Sequence, residues 1–163
     1  MTDVLAALGA LVHYDIPERD KALEAFYGRW QHDPQVVDKW FALQAGARLP
    51  DTLTRVQALM RHSAFKLTNP NKVRALIGRF CQGNPARFHA ANGAGYLFLA
   101  DQVLALDRLN PQMAARLLAP MSRWRRHDAQ RQQLMQAQLQ RIVATQGLSK
   151  DVYEIASKSL ASN

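Results

Sequence analysis

The chain has 163 residues, of which 48% are hydrophobic, 8% aromatic and 21% charged, and its formal net charge is +8. This length suits one domain with a hydrophobic core, which we expect over residues 1–163. The composition excludes collagen-like, low-complexity and broadly disordered proteins. The single cysteine, Cys81, excludes an internal disulfide framework and is typical of a reducing compartment.

Hydrophobic residues recur at helical spacing from the first residues onward, as at Leu5, Leu8 and Leu11. The N-terminus has no positively charged leader region. The longest apolar run, 94–100, is far shorter than the ~18–20 residues that span a bilayer. We therefore expect a cytoplasmic protein.

One motif recurs at the predicted helix starts, an Asn or Asp directly before a proline. The side-chain oxygen accepts a free backbone N–H at the helix start, and proline lacks the N–H that would go unsatisfied there. This Asx-Pro motif occurs at four places: Asp33-Pro34, Asn69-Pro70, Asn84-Pro85 and Asn110-Pro111. Looser starts occur at Ile16-Pro17 and Pro50-Asp51. The starts at residues 17, 34, 51, 70 and 85 lie 15 to 19 residues apart.

This spacing predicts about 9–10 short helices and no strands. The predicted helices lie near 3–13, 17–31, 34–46, 52–62, 70–80, 85–91, 96–109, 111–126, 128–146 and 150–161. Pro120 predicts a kink or break, Gly147 a helix stop and Ser149 a cap of the last helix. An all-α chain of this kind forms either a compact bundle or a stack of helix pairs, an α-solenoid.

Catalytic motifs are absent from the sequence. No two of the five histidines stand four residues apart and no His-Glu dipeptide occurs, so the helical zinc motif is missing. No glycine-rich phosphate loop precedes a Lys-Ser/Thr pair. Cys81 has no cysteine partner and follows Phe80, which favours a small buried apolar side chain over a nucleophile.

The positive charge is concentrated in the middle of the chain. Residues 1–60 hold six basic and eight acidic residues, whereas residues 61–149 hold 13 basic and three acidic residues, a net charge of +10. Such a block favours an anionic partner, although a solvated surface is the commoner explanation. One hypothesis is a basic helical-repeat module that binds nucleic acid or an acidic protein, with Trp124, Tyr96 and Phe88 as stacking groups. Its affinity would fall steeply with salt concentration.

Two arginines stand among apolar neighbours, Arg74 in a segment VRALI and Arg116 in MAARLLA. Each is either the exposed edge of an amphipathic helix or a charge directed into a cavity where it meets an anion. The sequence patterns leave both alternatives open.

Several longer segments resemble the C-terminal domain of the bacterial aminopeptidase N (alanyl aminopeptidase) family. The segments are DKWFALQ (38–44), NPNKVRALIG (69–78), NPARFH (84–89) and GAGYLFL (93–99), and the resemblance covers essentially the whole chain. It implies an armadillo/HEAT-like superhelical stack of antiparallel helix pairs. It also implies a non-catalytic domain that closes over the active-site cavity of a zinc metallopeptidase while the enzyme removes N-terminal residues from peptides.

The family's zinc-binding and substrate-amine motifs lie in a preceding catalytic domain, so the resemblance implies no cofactor in this chain and no peptidase activity for it alone. The expected partners are the other domains of the same polypeptide and, in the full enzyme, peptide substrates. Arg74 and Arg116 match positions where such domains direct arginines toward the cavity. There they would bind the C-terminal carboxylate of a peptide substrate.

Overall fold

The computed structural model describes residues 1–161, and every regular element in that range is helical. The predicted all-α fold class is confirmed. These helices divide into two compact units, Met1–Arg87 and a second that begins at Phe88. The single domain expected over 1–163 stays a prediction, and its last two residues, 162 and 163, lie outside the described range.

The first unit contains helices α1 to α6, with a π-helical turn (Arg74–Gly78) inside a continuous stretch from α5 to α6. The helices are α1 (Thr2–Leu11), α2 (Pro17–Trp30), α3 (Pro34–Ala45), α4 (Thr52–Leu59), α5 (Pro70–Val73) and α6 (Arg79–Gly83). The short helix α7 (Pro85–Phe88) spans the boundary between the units in sequence.

The second unit contains helices α8 to α11 and a 3-10 helix (Ala119–Arg126). The α-helices are α8 (Ala94–Asp107), α9 (Pro111–Leu117), α10 (Ala129–Val143) and α11 (Lys150–Ala161). The break expected at Pro120 is present, because α9 ends at Leu117 and the 3-10 helix follows. Helix α10 ends at Val143, three residues before the predicted end, and Gly147 takes a left-handed conformation in the turn beyond it.

Three of the four predicted Asx-Pro caps are confirmed. The side chains of Asp33, Asn69 and Asn110 each accept backbone N–H groups of the helix that follows. Ser149 also caps α11, since its hydroxyl accepts the N–H of Val152 at 3.2 Å. A helix also starts at Pro85, as predicted, whereas the cap by Asn84 stays a prediction. The buried amide nitrogen of Asn84 donates to the carbonyls of Ala45 and Ala47 at 2.9 and 2.7 Å.

Helix α3 is the centre of the first unit. It packs against α2, α4, α5, the π-helical turn and α6. Phe41 is fully buried, and the indole N–H of Trp40 donates to the carbonyl of Leu23 at 2.9 Å. The buried ammonium of Lys72 binds the carboxylate of Asp38 at 2.6 Å. This ion pair fixes α5 against the first turns of α3.

Hydrogen bonds of buried side chains attach α11 to the rest of the second unit. The buried carboxylate of Asp107, at the end of α8, accepts the backbone N–H of Ser149 at 2.9 Å and also binds its hydroxyl. The indole N–H of Trp124 donates to the carbonyl of Ser159 at 2.9 Å. These bonds attach both the start and the end of α11 to the rest of the unit.

Among residues 1–161, no helix combines the length and the apolar character that crossing a membrane requires.

Close backbone packing at Gly95 generates a stability prediction. A Cβ at Gly95 would lie 2.3 Å from the carbonyl oxygen of Phe88, and that oxygen belongs to the backbone and cannot rotate away. We expect Gly95→Ala to lower the free energy of unfolding by about 3 kcal/mol, because an overpacked core must shift its backbone. Urea denaturation measures the change.

Gly28→Ala is the matched control. Nothing lies within 4 Å of a Cβ at Gly28 in helix α2, so alanine should raise the free energy of unfolding by about 0.5–1 kcal/mol through its better helix propensity. Equal stabilities of the two variants would contradict the packing argument.

Candidate functional site

Arg74 lies at the first position of the π-helical turn and is exposed. Its guanidinium donates to the side-chain oxygen of Asn71, one turn earlier. The next residues, Leu76 and Ile77, are fully buried, so the turn is anchored in the core beneath Arg74. Short π-helical turns occur frequently at functional sites. The periodicity of the sequence did not predict this one.

Arg116 lies in the last turn of α9 and is also exposed. Its neighbours Ala114 and Leu117 are buried and hold the apolar face of the helix in the second unit. In the described residues, Arg74 and Arg116 are therefore both exposed, one in each compact unit. This exposure leaves both guanidinium groups accessible to a ligand or to another protein surface.

Cys81 is buried, and burial raises the pKa of its thiol well above the ordinary value. A thiol with a raised pKa is a poor nucleophile at neutral pH. The interpretation of Cys81 as a small buried apolar side chain is confirmed.

The aromatic residues considered as nucleic-acid stacking groups are not available on the surface. Phe88 and Tyr96 are fully buried, and Trp124 is 6% exposed with its indole N–H engaged in the core. Base stacking requires an accessible aromatic face. The structure therefore removes the aromatic support for a nucleic-acid module.

A polar cluster that the sequence patterns did not indicate lies in the second unit, where the turn before α8 meets the start of α10. The Nδ1 atom of His89 is hydrogen-bonded to the hydroxyl of Tyr96 at 2.7 Å. Arg131 donates to the carbonyl of His89 at 2.8 Å and pairs with Asp128 at 2.6 Å, while the ring of His127 stacks on His89 at 4.3 Å. His89 and Tyr96 stand seven residues apart across a turn, a spacing that no helical motif predicts.

Electrostatics keep the His89 ring neutral. Burial, followed by the nearby His127 and Arg131, lowers the pKa of His89 to about 4. Burial also raises the pKa of the Tyr96 phenol. At neutral pH the neutral imidazole of His89 is thus hydrogen-bonded to the neutral phenol of Tyr96. The arrangement stabilises the turn before α8.

The described residues also offer no metal site. Among residues 1–161, no group of three His, Cys, Asp or Glu side chains is placed to hold a metal ion. A zinc site needs three or four such ligands. The described residues therefore do not fit a zinc ion.

Comparison with known proteins identifies relatives of the chain along its whole described length. A family model described as a domain of unknown function (DUF3458_C) with ARM repeats matches residues 1–161. The chain is 51% identical over 160 residues to aminopeptidase N of Caulobacter vibrioides, covering 98% of the chain. It is 44% identical over 161 residues to aminopeptidase N of Escherichia coli, covering 99% of the chain. The chain spans 18% of the length of each of these relatives.

A solved structure has the same fold. The crystal structure of Legionella pneumophila aminopeptidase A in complex with aspartic acid matches with a TM-score of 0.93 and 42% sequence identity. The match covers 98% of this chain and 19% of that one. Together with the ARM-repeat family model, it confirms the armadillo-type α-solenoid class.

The cluster around His89 predicts a dependence of stability on pH. In the unfolded chain His89 titrates near 6.5, but in the folded chain its pKa is about 4. Below pH 6.5 the unfolded state therefore binds more protons, so stability is complete above pH 6.5 and falls as the pH decreases toward 4. The slope due to His89 is at most about 1.4 kcal/mol per pH unit. Burial also lowers the pKa of His62, which adds a slope of the same sign.

His89→Gln should reduce this slope, as measured by urea denaturation at pH 7.5, 6.0 and 5.0. Gln130→Ala is the control, because Gln130 donates to the carbonyl of Ala91 in the same turn and does not titrate. It should lower stability equally at each pH and keep the slope. An unchanged slope in His89→Gln would contradict the assignment of this pH dependence to His89.

Proposed function

Because the chain belongs to the DUF3458_C family of ARM-repeat domains and corresponds to the C-terminal domain of aminopeptidase N homologues, we propose that it is the non-catalytic cap of a zinc aminopeptidase N. In this role it closes over the active-site cavity and shapes the access of peptides, while the parent enzyme removes their N-terminal residues. The catalytic and other domains of the same polypeptide are its partners. The proposed location is the cytoplasm.

The observation that supports this proposal is the extent of the match. Identity of 44–51% covers nearly the whole chain but only 18% of relatives that are named aminopeptidase N. The sequence contains no His-Glu-x-x-His motif, and its described residues form no metal-ligand cluster. The chemistry therefore has to come from a different part of such an enzyme, and this chain contributes shape and charge.

Arg74 and Arg116 are the residues proposed to contribute that charge. A peptide held by its amino terminus at the metal extends its carboxylate away from it, toward the cap. A guanidinium can bind a carboxylate through two parallel hydrogen bonds. Both side chains are exposed on helices whose opposite faces are buried, so each guanidinium is accessible and its backbone is held in place. Pairing with acidic residues of the catalytic domain is the alternative role.

Arg74→Ala and Arg116→Ala in the full enzyme distinguish these roles. Each should raise KM for tripeptides and longer peptides by about tenfold, because a charge-assisted hydrogen bond contributes about 1.5–3 kcal/mol. KM for a single-residue amide, which lacks the carboxylate, should stay unchanged. Steady-state kinetics on both substrates measure the difference.

Arg61→Ala and Arg108→Ala are matched controls, since each removes another exposed arginine from the first and second unit respectively. They should leave both KM values as they are. An equal rise in KM for the peptide and the amide in Arg74→Ala or Arg116→Ala would overturn the carboxylate role and favour the interface.

The purified chain alone should release no amino acid from alanyl amides, with or without added zinc, whereas the complete polypeptide should do so. The physical reason is that the described residues provide no metal-ligand set. Zinc-dependent hydrolysis by the isolated chain would contradict the proposal. A reading frame without His-Glu-x-x-His upstream of the chain would contradict the identity of the parent enzyme.

A further inference from the structure

An open groove of about 500 Å³ lies in the first unit, where residues of α1, α3 and α6 meet. This volume is within the range of small-molecule sites in proteins. The apolar part of its lining comes from Leu5 and Val12 on one side and from Ala42 and Leu43 on the other. The groove therefore presents an apolar floor.

All the ionisable side chains that line the groove are basic. They are His13, Lys39 and Arg79, each of them exposed. Among the described residues of the lining none is acidic, and no ion pair within residues 1–161 engages Lys39 or Arg79. The nearby acid on α3, Asp38, is already bound to Lys72. The groove thus combines an apolar floor with positive charge that no described carboxylate neutralises.

Two glycines leave room for the Arg79 side chain. A Cβ at Gly83 would lie 2.9 Å from both Cδ and Nη1 of Arg79, and a Cβ at Gly46 would lie 3.2 Å from Nε. The guanidinium therefore occupies space that only glycine leaves free, between the ends of α3 and α6.

His13 is also oriented. Its Nδ1 atom accepts the backbone N–H of Arg48 at 3.3 Å. An Nδ1 that accepts a hydrogen bond carries no proton, so the ring proton is on Nε2, which is then a donor. The groove accordingly offers hydrogen-bond donors from an imidazole, an ammonium and a guanidinium.

We propose that this groove binds a small aliphatic carboxylate that carries no other charge. The guanidinium of Arg79 takes the carboxylate, Lys39 and His13 add donors, and the hydrocarbon chain lies on Leu5 and Leu43. A free amino acid is disfavoured, because no acidic side chain of the lining pairs with its ammonium. A free short-chain fatty acid and the carboxyl-terminal residue of an acylated or peptide-linked amino acid share the required chemistry.

Titration of the chain with octanoate, followed by NMR chemical shifts, tests the site. We expect saturable shifts at the groove residues with a Kd of about 1 mM or below. Octanamide, which has the same chain without the charge, should bind at least about tenfold more weakly. N-acetyl-leucine represents the carboxyl-terminal residue of an acylated or peptide-linked amino acid, and octanoate represents a free fatty acid. The probe that binds more tightly identifies the class of ligand.

Three variants separate the named contacts from general surface charge. Arg79→Gln should raise Kd for octanoate about tenfold, and Lys39→Gln by a smaller factor. Gly83→Ala keeps every charge but displaces Arg79, so it should also raise Kd. Arg61→Gln, an exposed arginine outside the groove, should leave Kd unchanged.

Four results would overturn the proposal. They are the absence of saturable binding, equal affinity for octanoate and octanamide, an unchanged Kd in both Arg79→Gln and Lys39→Gln, and shifts centred on other arginines.

Discussion

The first compact unit depends on one buried charge, the ammonium of Lys72. It donates to the carboxylate of Asp38 at 2.6 Å and to the carbonyl of Pro34 at 3.0 Å. A buried ammonium without partners costs several kcal/mol, so this pairing permits only one register between α5 and the start of α3. The continuous helix that begins with α5 then carries Arg74 and Arg79. Both arginines that we propose to bind carboxylates in this unit are positioned through this one ion pair.

The far end of the same helix is fixed by a second polar contact. The amide of Asn84 donates to the carbonyls of Ala45 and Ala47, where α3 ends. Lys72 lies at the start of α3 and Asn84 at its end, so α3 and the helix from α5 to α6 run in the same direction. Helix α4 lies between them in sequence and packs against both α3 and the π-helical turn. Both ends of this continuous helix are therefore fixed. The π-helical turn that carries Arg74 lies between them and is held in place.

Hydrogen bonds between residues two or three positions apart are predictable from the sequence, whereas hydrogen bonds between residues far apart in the chain are not. Asp33 caps the helix that directly follows it, as predicted. Asn84 has the same motif, but its buried amide nitrogen also donates to carbonyls 37 and 39 residues away, because a buried N–H group needs an acceptor. The pair of His89 and Tyr96 depends on a turn whose geometry the helical periodicity does not describe. The apolar neighbours of Arg74 and the family resemblance make it a candidate site residue, but neither predicts the π-helical turn in which it lies.

The net charge of +8 does not by itself indicate which anion the protein binds, because several arginines already bind groups of the fold. Arg125 donates to the carbonyls of Ser159 and Leu160, at the negative end of the α11 dipole. Arg131 donates to the carbonyl of His89 and Arg87 to that of Arg48. These guanidinium groups satisfy backbone acceptors of the fold, a task for which their planar, multiple donors are well suited. The charge available to an outside anion is therefore smaller and more local than the composition indicates. It favours recognition of single carboxylates over the continuous basic surface that a polyanion requires.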